Sequence, residues 1–149
     1  MKTTVLLLAV LFCFTATTFA ASQTSTAATD PNAPAVPNSI AGYTNFPTAK
    51  VKSDKPLLNA FVALTPSFII KGINERKLAP SSYSVIMRYA FRKNVADGYE
   101  AIYYYRARDP AKNSTGKIYY GTFTAFIPTK SGLARKLLRY TIDKAVPRT

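Results

Sequence analysis

The stretch YSVIMRYAFRKNVADGYEAIYYYRAR, Tyr83 to Arg108, decides the fold of this 149-residue chain. Tyr83, Val85, Met87, Tyr89 and Phe91 alternate with Ser84, Ile86, Arg88, Ala90 and Arg92. Such a period of two marks a half-buried strand, because successive side chains point to opposite faces. Asp97-Gly98 predicts a two-residue hairpin turn, since both residue types tolerate positive φ. Tyr99 to Arg108 is then the returning strand, rich in Tyr and ending in charge.

Upstream, Leu57, Phe61, Leu64 and Phe68 recur at helical spacing, with Leu58, Val62, Ile69 and Ile73 beside them. They form one broad apolar stripe of a helix. Ser53 or Asp54 suits its N-cap and Pro56 its first turn. Pro66 predicts a kink or break, because it lacks the N–H and crowds the preceding turn. Gly72 and Asn74 mark the end. Downstream, Lys117 to Ile127 reads as a strand halted by Pro128, and Thr129 to Gly132 as a turn. Leu133 to Ala145 fits either periodicity; a strand is preferred because it completes an antiparallel meander. The expected fold class is α+β: one long helix, kinked at Pro66, packed on a four- to five-stranded antiparallel sheet.

The ends of the chain and its charge set the context. Lys2 followed by the apolar run Val5–Phe14 and by Thr18-Phe19-Ala20 has the layout of a secretory signal, residues 1–20. That run is too short to span about 30 Å of hydrocarbon comfortably. A secreted protein, or one in the lumen of the secretory pathway, is expected, with no membrane span. Residues 21–38 are small, polar and Pro-rich, a flexible leader. Residues 39–149 amount to one domain. The chain has no His and one Cys, Cys13, which leaves with the signal. A Ser-His or Cys-His catalytic pair and thiolate or imidazole metal ligation are thereby excluded. Asp97 and Glu100 alone make a poor acid–base pair. The expectation is a binder: not an enzyme, with no cofactor and no metal, acting as a monomer. Most of the +13 formal charge stays with the exported chain, since Lys2 is the one charged residue removed.

Several of these pieces resemble the cystatins, secreted inhibitors of papain-like cysteine proteases. Ile40-Ala41-Gly42-Tyr43 resembles the family's N-terminal Gly segment. Phe68 to Asn74 falls where the family's helix carries Phe and then Asn. Asn94-Val95-Ala96-Asp97-Gly98 occupies the place of the Gln-x-Val-x-Gly loop, Lys117-Ile118-Tyr119-Tyr120 that of the Lys-Leu-Tyr-Glu strand start, and Pro128-Thr129 that of Pro-Trp. The spacing is better preserved than the letters: Gln is Asn94, Val is Ala96, and Trp is absent, with Thr129 in its place. Having no mature Cys sets the chain nearer the disulfide-free members. The resemblance implies a cystatin-like fold and a reversible wedge in the protease cleft. The protease-binding residues would be Gly42, Asn94, Val95, Ala96, Asp97, Gly98, Pro128 and Thr129, and the partner a papain-like cysteine protease.

Plainer readings stay open beside these. Asp97-Gly98 also serves as an ordinary turn, Pro128 as a strand stop and Gly42 as a linker glycine. The alternative function is a secreted basic protein of the same fold that binds anionic surfaces or acidic partners without inhibiting a protease. Three basic groups support it: Arg88, Arg92 and Lys93; Arg106, Arg108, Lys112 and Lys117; Arg135, Lys136 and Arg139. Tyr residues lie among them, yet strand Tyr residues are usually packing side chains, so nucleic acid is not the expected partner. Asn113-Ser114-Thr115 is an N-glycosylation acceptor in a polar turn.

Overall fold

Burial of one helical stripe against one sheet face organises the chain. The computed structural model describes residues 31–109 and 116–147. The elements are β1 (Thr44–Pro47), α1 (Thr48–Ser53), α2 (Lys55–Asn74), β2 (Ser84–Val95), β3 (Gly98–Arg108), β4 (Lys117–Pro128) and β5 (Lys136–Pro147). The strands form one antiparallel sheet in the order β1-β2-β3-β4-β5. The α+β class expected from the sequence is what the chain adopts. The ambiguous C-terminal segment is a strand, begun at Lys136 after an exposed loop. Neither β1 nor α1 carried a sequence pattern long enough to be read.

Helix α2 starts where Asp54 caps it, accepting from the Leu57 N–H at 3.1 Å, with Pro56 in the first turn. The same carboxylate pairs with Arg92 at 2.7 Å, which ties the helix start to β2. Leu57, Phe61, Leu64 and Phe68 are buried as the stripe predicts, joined by Ala60, Thr65 and Gly72. The expected break at Pro66 does not occur: α2 runs unbroken from Lys55 to Asn74. Pro66 lies on the exposed side, so water can satisfy the carbonyl of Val62 that its missing N–H leaves free. The helix ends at Asn74, as Gly72 and Asn74 predict, and the Gly72 carbonyl accepts from the Lys77 and Leu78 N–H groups that follow. Gly72 lies within the last turn, buried beneath Leu78.

The stripe meets aromatic side chains from the middle of the sheet. Phe61 lies 5.6 Å from Phe123 and 5.5 Å from Tyr103; Phe68 lies 5.0 Å from Phe123 and 4.5 Å from Tyr105. Both Tyr hydroxyls find carbonyls, Tyr103 donating to Leu57 at 2.7 Å and Tyr105 to Thr141 at 2.8 Å. Register places Ala90, Tyr103 and Phe123 in one row and Arg92, Ala101 and Ala125 in the next, small residues flanking large ones under the helix.

Strand β2 departs from the simple alternation. Its register against β3 shifts between Met87 and Tyr89, so Arg88 is an extra, bulged residue. Val85 and Met87 face the helix, then Ala90 does; Tyr89 and Phe91 turn to the other side of the sheet. A single inserted residue reverses facing because the side-chain period is two. Phe91 is nevertheless fully buried against Tyr89 and Tyr104, and Tyr120 of β4 is buried as well. The Arg88 guanidinium sits 5.2 Å over the Tyr120 ring and donates to the Pro34 carbonyl at 2.7 Å. Residues 34–43 thus run along the outer face, with Pro34, Val36 and Ile40 half-buried.

Two predictions follow from this core. Phe68→Ala should cost about 3–5 kcal/mol, whereas Val62→Ala, on the exposed side, should stay within about 0.5 kcal/mol, read by urea unfolding. Burial, the largest cause, pushes the Tyr83 hydroxyl up from 10.0 to about 12, and pushes Tyr103 and Tyr105 in the same direction. The unfolded chain releases those protons first as pH rises. The stability they contribute is complete below pH 10 and is lost as pH climbs through 12, which unfolding measured against pH will read.

Candidate functional site

Three chain segments meet at one end of the sheet. The turn between β2 and β3 is Ala96-Asp97, flanked by the Val95–Gly98 pair. This corrects the expected Asp97-Gly98 turn by one residue. Asp97 takes the positive φ, +64°. Gly98 instead lies in β3, buried, paired with Pro128 of β4. A Cβ on Gly98 would stand 2.1 Å from the Ile127 carbonyl oxygen, so glycine is required there by backbone approach. Substituting Gly98 would therefore damage the sheet and would not report on binding.

The Asp97 carbonyl fastens the two loops together. It accepts from the Thr129 N–H at 2.9 Å, the Thr129 hydroxyl at 3.2 Å and the Lys130 N–H at 3.4 Å. Lys130 also approaches the Asp97 carboxylate at 4.0 Å, but both side chains are more than half exposed, and such pairs add little. Pro128 both ends β4 and sits opposite Gly98.

The third segment precedes β1. Tyr43 N–H donates to Ile40 at 3.0 Å, closing a turn in which Gly42 takes φ +82°. Only glycine adopts that conformation without strain. Thr44 pairs with Arg92, so Gly42 leaves β1 at the level of Asn94. Tyr43 is held by one carboxylate: its hydroxyl donates to Glu100 Oε1 at 2.6 Å. The Lys93 ammonium lies 4.9 Å over the Tyr43 ring and 3.9 Å from Glu100, and Arg139 lies 3.8 Å from the same oxygen. Burial and then the bond to Glu100 raise the Tyr43 hydroxyl above its ordinary value, so it stays a donor at neutral pH.

Gly42, Asn94, Ala96, Asp97 and Thr129 are exposed, Val95 and Pro128 are half-buried, and Gly98 is buried. All eight lie at the same end of the sheet. Tyr43, Lys93, Glu100 and Arg139 each stood out in the sequence for other reasons, but their meeting at Glu100 was not expected. Lys93 opposite Glu100 follows from hairpin register and was legible once the turn was placed correctly. Tyr43, 57 residues away, gave no local signal of the contact. Asn113 and the signal segment lie outside the described residues.

Beside this end, on the helix side, an open cleft of about 620 Å³ is lined by Phe46, Lys50, Asp54, Lys55, Arg92 and Tyr99. Of its three cations Arg92 is the most engaged: it lies 4.6 Å from the Phe46 ring, 4.4 Å from the Tyr99 ring and pairs with Asp54, and Lys50 lies 5.9 Å over the Phe46 ring. Tyr103, Tyr105 and Tyr120 are buried and offer no face on which a base could stack. Among the described residues no group of three His, Cys, Asp or Glu side chains could hold a metal ion. No family model, curated protein or solved structure matches the chain.

Tyr43→Phe removes the bond to Glu100 and should free the segment before β1. Limited proteolysis between residues 34 and 43 should accelerate several-fold, while the global unfolding midpoint moves by no more than about 1 kcal/mol of stability.

Proposed function

We propose that this protein is a secreted reversible inhibitor of papain-like cysteine proteases with a cystatin-like fold. The observation that carries the reading is the convergence of the Gly42 segment, the Ala96-Asp97 turn and Pro128-Thr129 at one sheet end. A row of this kind can fill a cleft by shape and backbone without offering a scissile bond in attack geometry. The hydrogen bonds at the Asp97 carbonyl and the clasp at Glu100 hold the segments before any partner arrives. Little conformational entropy then remains to be lost on docking. No catalytic group is needed, in keeping with a chain that lacks His.

A second reading keeps the fold and drops inhibition. Thr129 stands where the resemblance calls for Trp, and buried aromatic anchors dominate most interfaces. The +13 charge favours attraction to anionic surfaces or acidic partners. Titration against a papain-like protease separates the two: inhibition that persists at moderate salt supports the wedge, and its absence at micromolar protein supports the electrostatic reading. Thr129 is exposed, and Thr129→Trp loses the hydroxyl bond to Asp97 but keeps the shorter backbone one, so the variant should fold. If the edge docks in the cleft, that variant should inhibit about tenfold more tightly or better.

A further inference from the structure

The side of α2 turned away from the sheet carries apolar residues through its middle, with Ser67 among them and Asn59 before them, and basic residues toward its ends. Val62 and Ile70 are 48% and 57% exposed, and Ala63 and Pro66 between them are exposed as well. These positions recur at three- and four-residue steps and so share one face. No Asp or Glu occurs anywhere in Lys55–Asn74. The acids that bound the helix are both engaged, Asp54 with Arg92 at 2.7 Å and Glu75 with Lys77 at 3.0 Å. Lys55 lies on this side at the N-terminal end; Lys71, about 24 Å further along the axis, lies at the edge of the face with its ammonium 5.8 Å over the Tyr140 ring of β5. Exposed Lys50 and Lys52 of α1 lie near the first end and exposed Arg76 near the second.

We propose that this face of α2 docks the protein on an anionic bilayer surface. Val62, Ala63, Pro66 and Ile70 would enter the boundary between headgroups and acyl chains, while the flanking lysines reach lipid phosphate or carboxylate groups. Charge complementarity selects this occupant: a strongly basic chain presents an acid-free apolar helix face between basic ends. The helix is long and apolar enough to cross a membrane by length and composition. Crossing, however, would pull Phe61 and Phe68 out of the core, whereas lying in the interface leaves every core contact in place. This face includes none of the residues at the converging sheet end, so the inference stands apart from protease inhibition. It rests on the electrostatic reading and specifies where on the molecule that attraction acts.

The chain has no Trp, so a single introduced Trp reports on its own surroundings in the full-length protein. Ile70→Trp places it on the α2 face; Leu138→Trp, at another exposed apolar position on β5, is the control. With vesicles containing phosphatidylserine, Ile70→Trp should shift to the blue and be quenched by brominated acyl chains. Leu138→Trp should not respond, and neutral phosphatidylcholine vesicles should leave both unchanged. In the Ile70→Trp background, Lys55→Gln with Lys71→Gln should weaken the response at least tenfold, since each basic side chain near the surface is worth about fivefold. Three results would overturn the proposal: a water-exposed Ile70→Trp spectrum on anionic vesicles, equal responses at both positions, or a blue shift that grows with protein concentration without lipid, which would mean that a second copy covers the face. If anionic vesicles still sediment the protein in a salt-sensitive way while Ile70→Trp stays in water, the docking face is wrong and the electrostatic reading survives.

Discussion

The packing of Phe61 and Phe68 onto Phe123, Tyr103 and Tyr105 is the constraint on which the rest depends. It fixes which face of every strand turns inward. It places Arg92 where it can meet Asp54, so the helix cap and the sheet are set by the same contact. Because Tyr103 and Tyr105 also bond to carbonyls of α2 and β5, the helix and the last strand are held by both apolar and polar links. A shift of one residue anywhere in β3 would break these contacts together, so the register leaves little freedom at the sheet ends.

That inherited precision gives the end formed by Gly42, Asp97 and Thr129 its form. Neither loop is long, and each is tied to its neighbour through backbone groups. The Asp97 carbonyl bridges the first turn to the second, and Glu100 draws the segment before β1 into the same structure. The side chains at the tip are small or polar. What distinguishes the surface is therefore backbone shape, in contrast to the apolar outer face of α2, where side-chain chemistry dominates.

The sequence was most legible where a period persisted. The α2 stripe follows from spacing that burial enforces, and β3 and β4 follow from the turn and the Pro128 stop that bound them. It was least legible where one residue changed the outcome. Arg88 as a bulge sends Phe91 to the opposite face from Met87, and no local pattern distinguishes an inserted residue from an ordinary one. The turn fell at Ala96-Asp97 because Gly98 was needed for its missing Cβ against Ile127 and not for its φ. In the sequence Pro66 predicts a kink or break because the pattern does not say that the Val62 carbonyl it leaves free would face water. At the candidate site the exposed tips came from the resemblance to the cystatins, whereas the Tyr43–Glu100 clasp depends on a contact between distant segments that only the folded sheet creates.

The central claim is that the three segments act as one binding edge. Amide hydrogen exchange of the protein, with and without an excess of a papain-like cysteine protease, tests it most directly. Simultaneous protection of residues 40–43, 95–98 and 129–130, with no change along the exposed side of α2, is the predicted result. Protection confined to one of those segments, or none at micromolar protease, would contradict it.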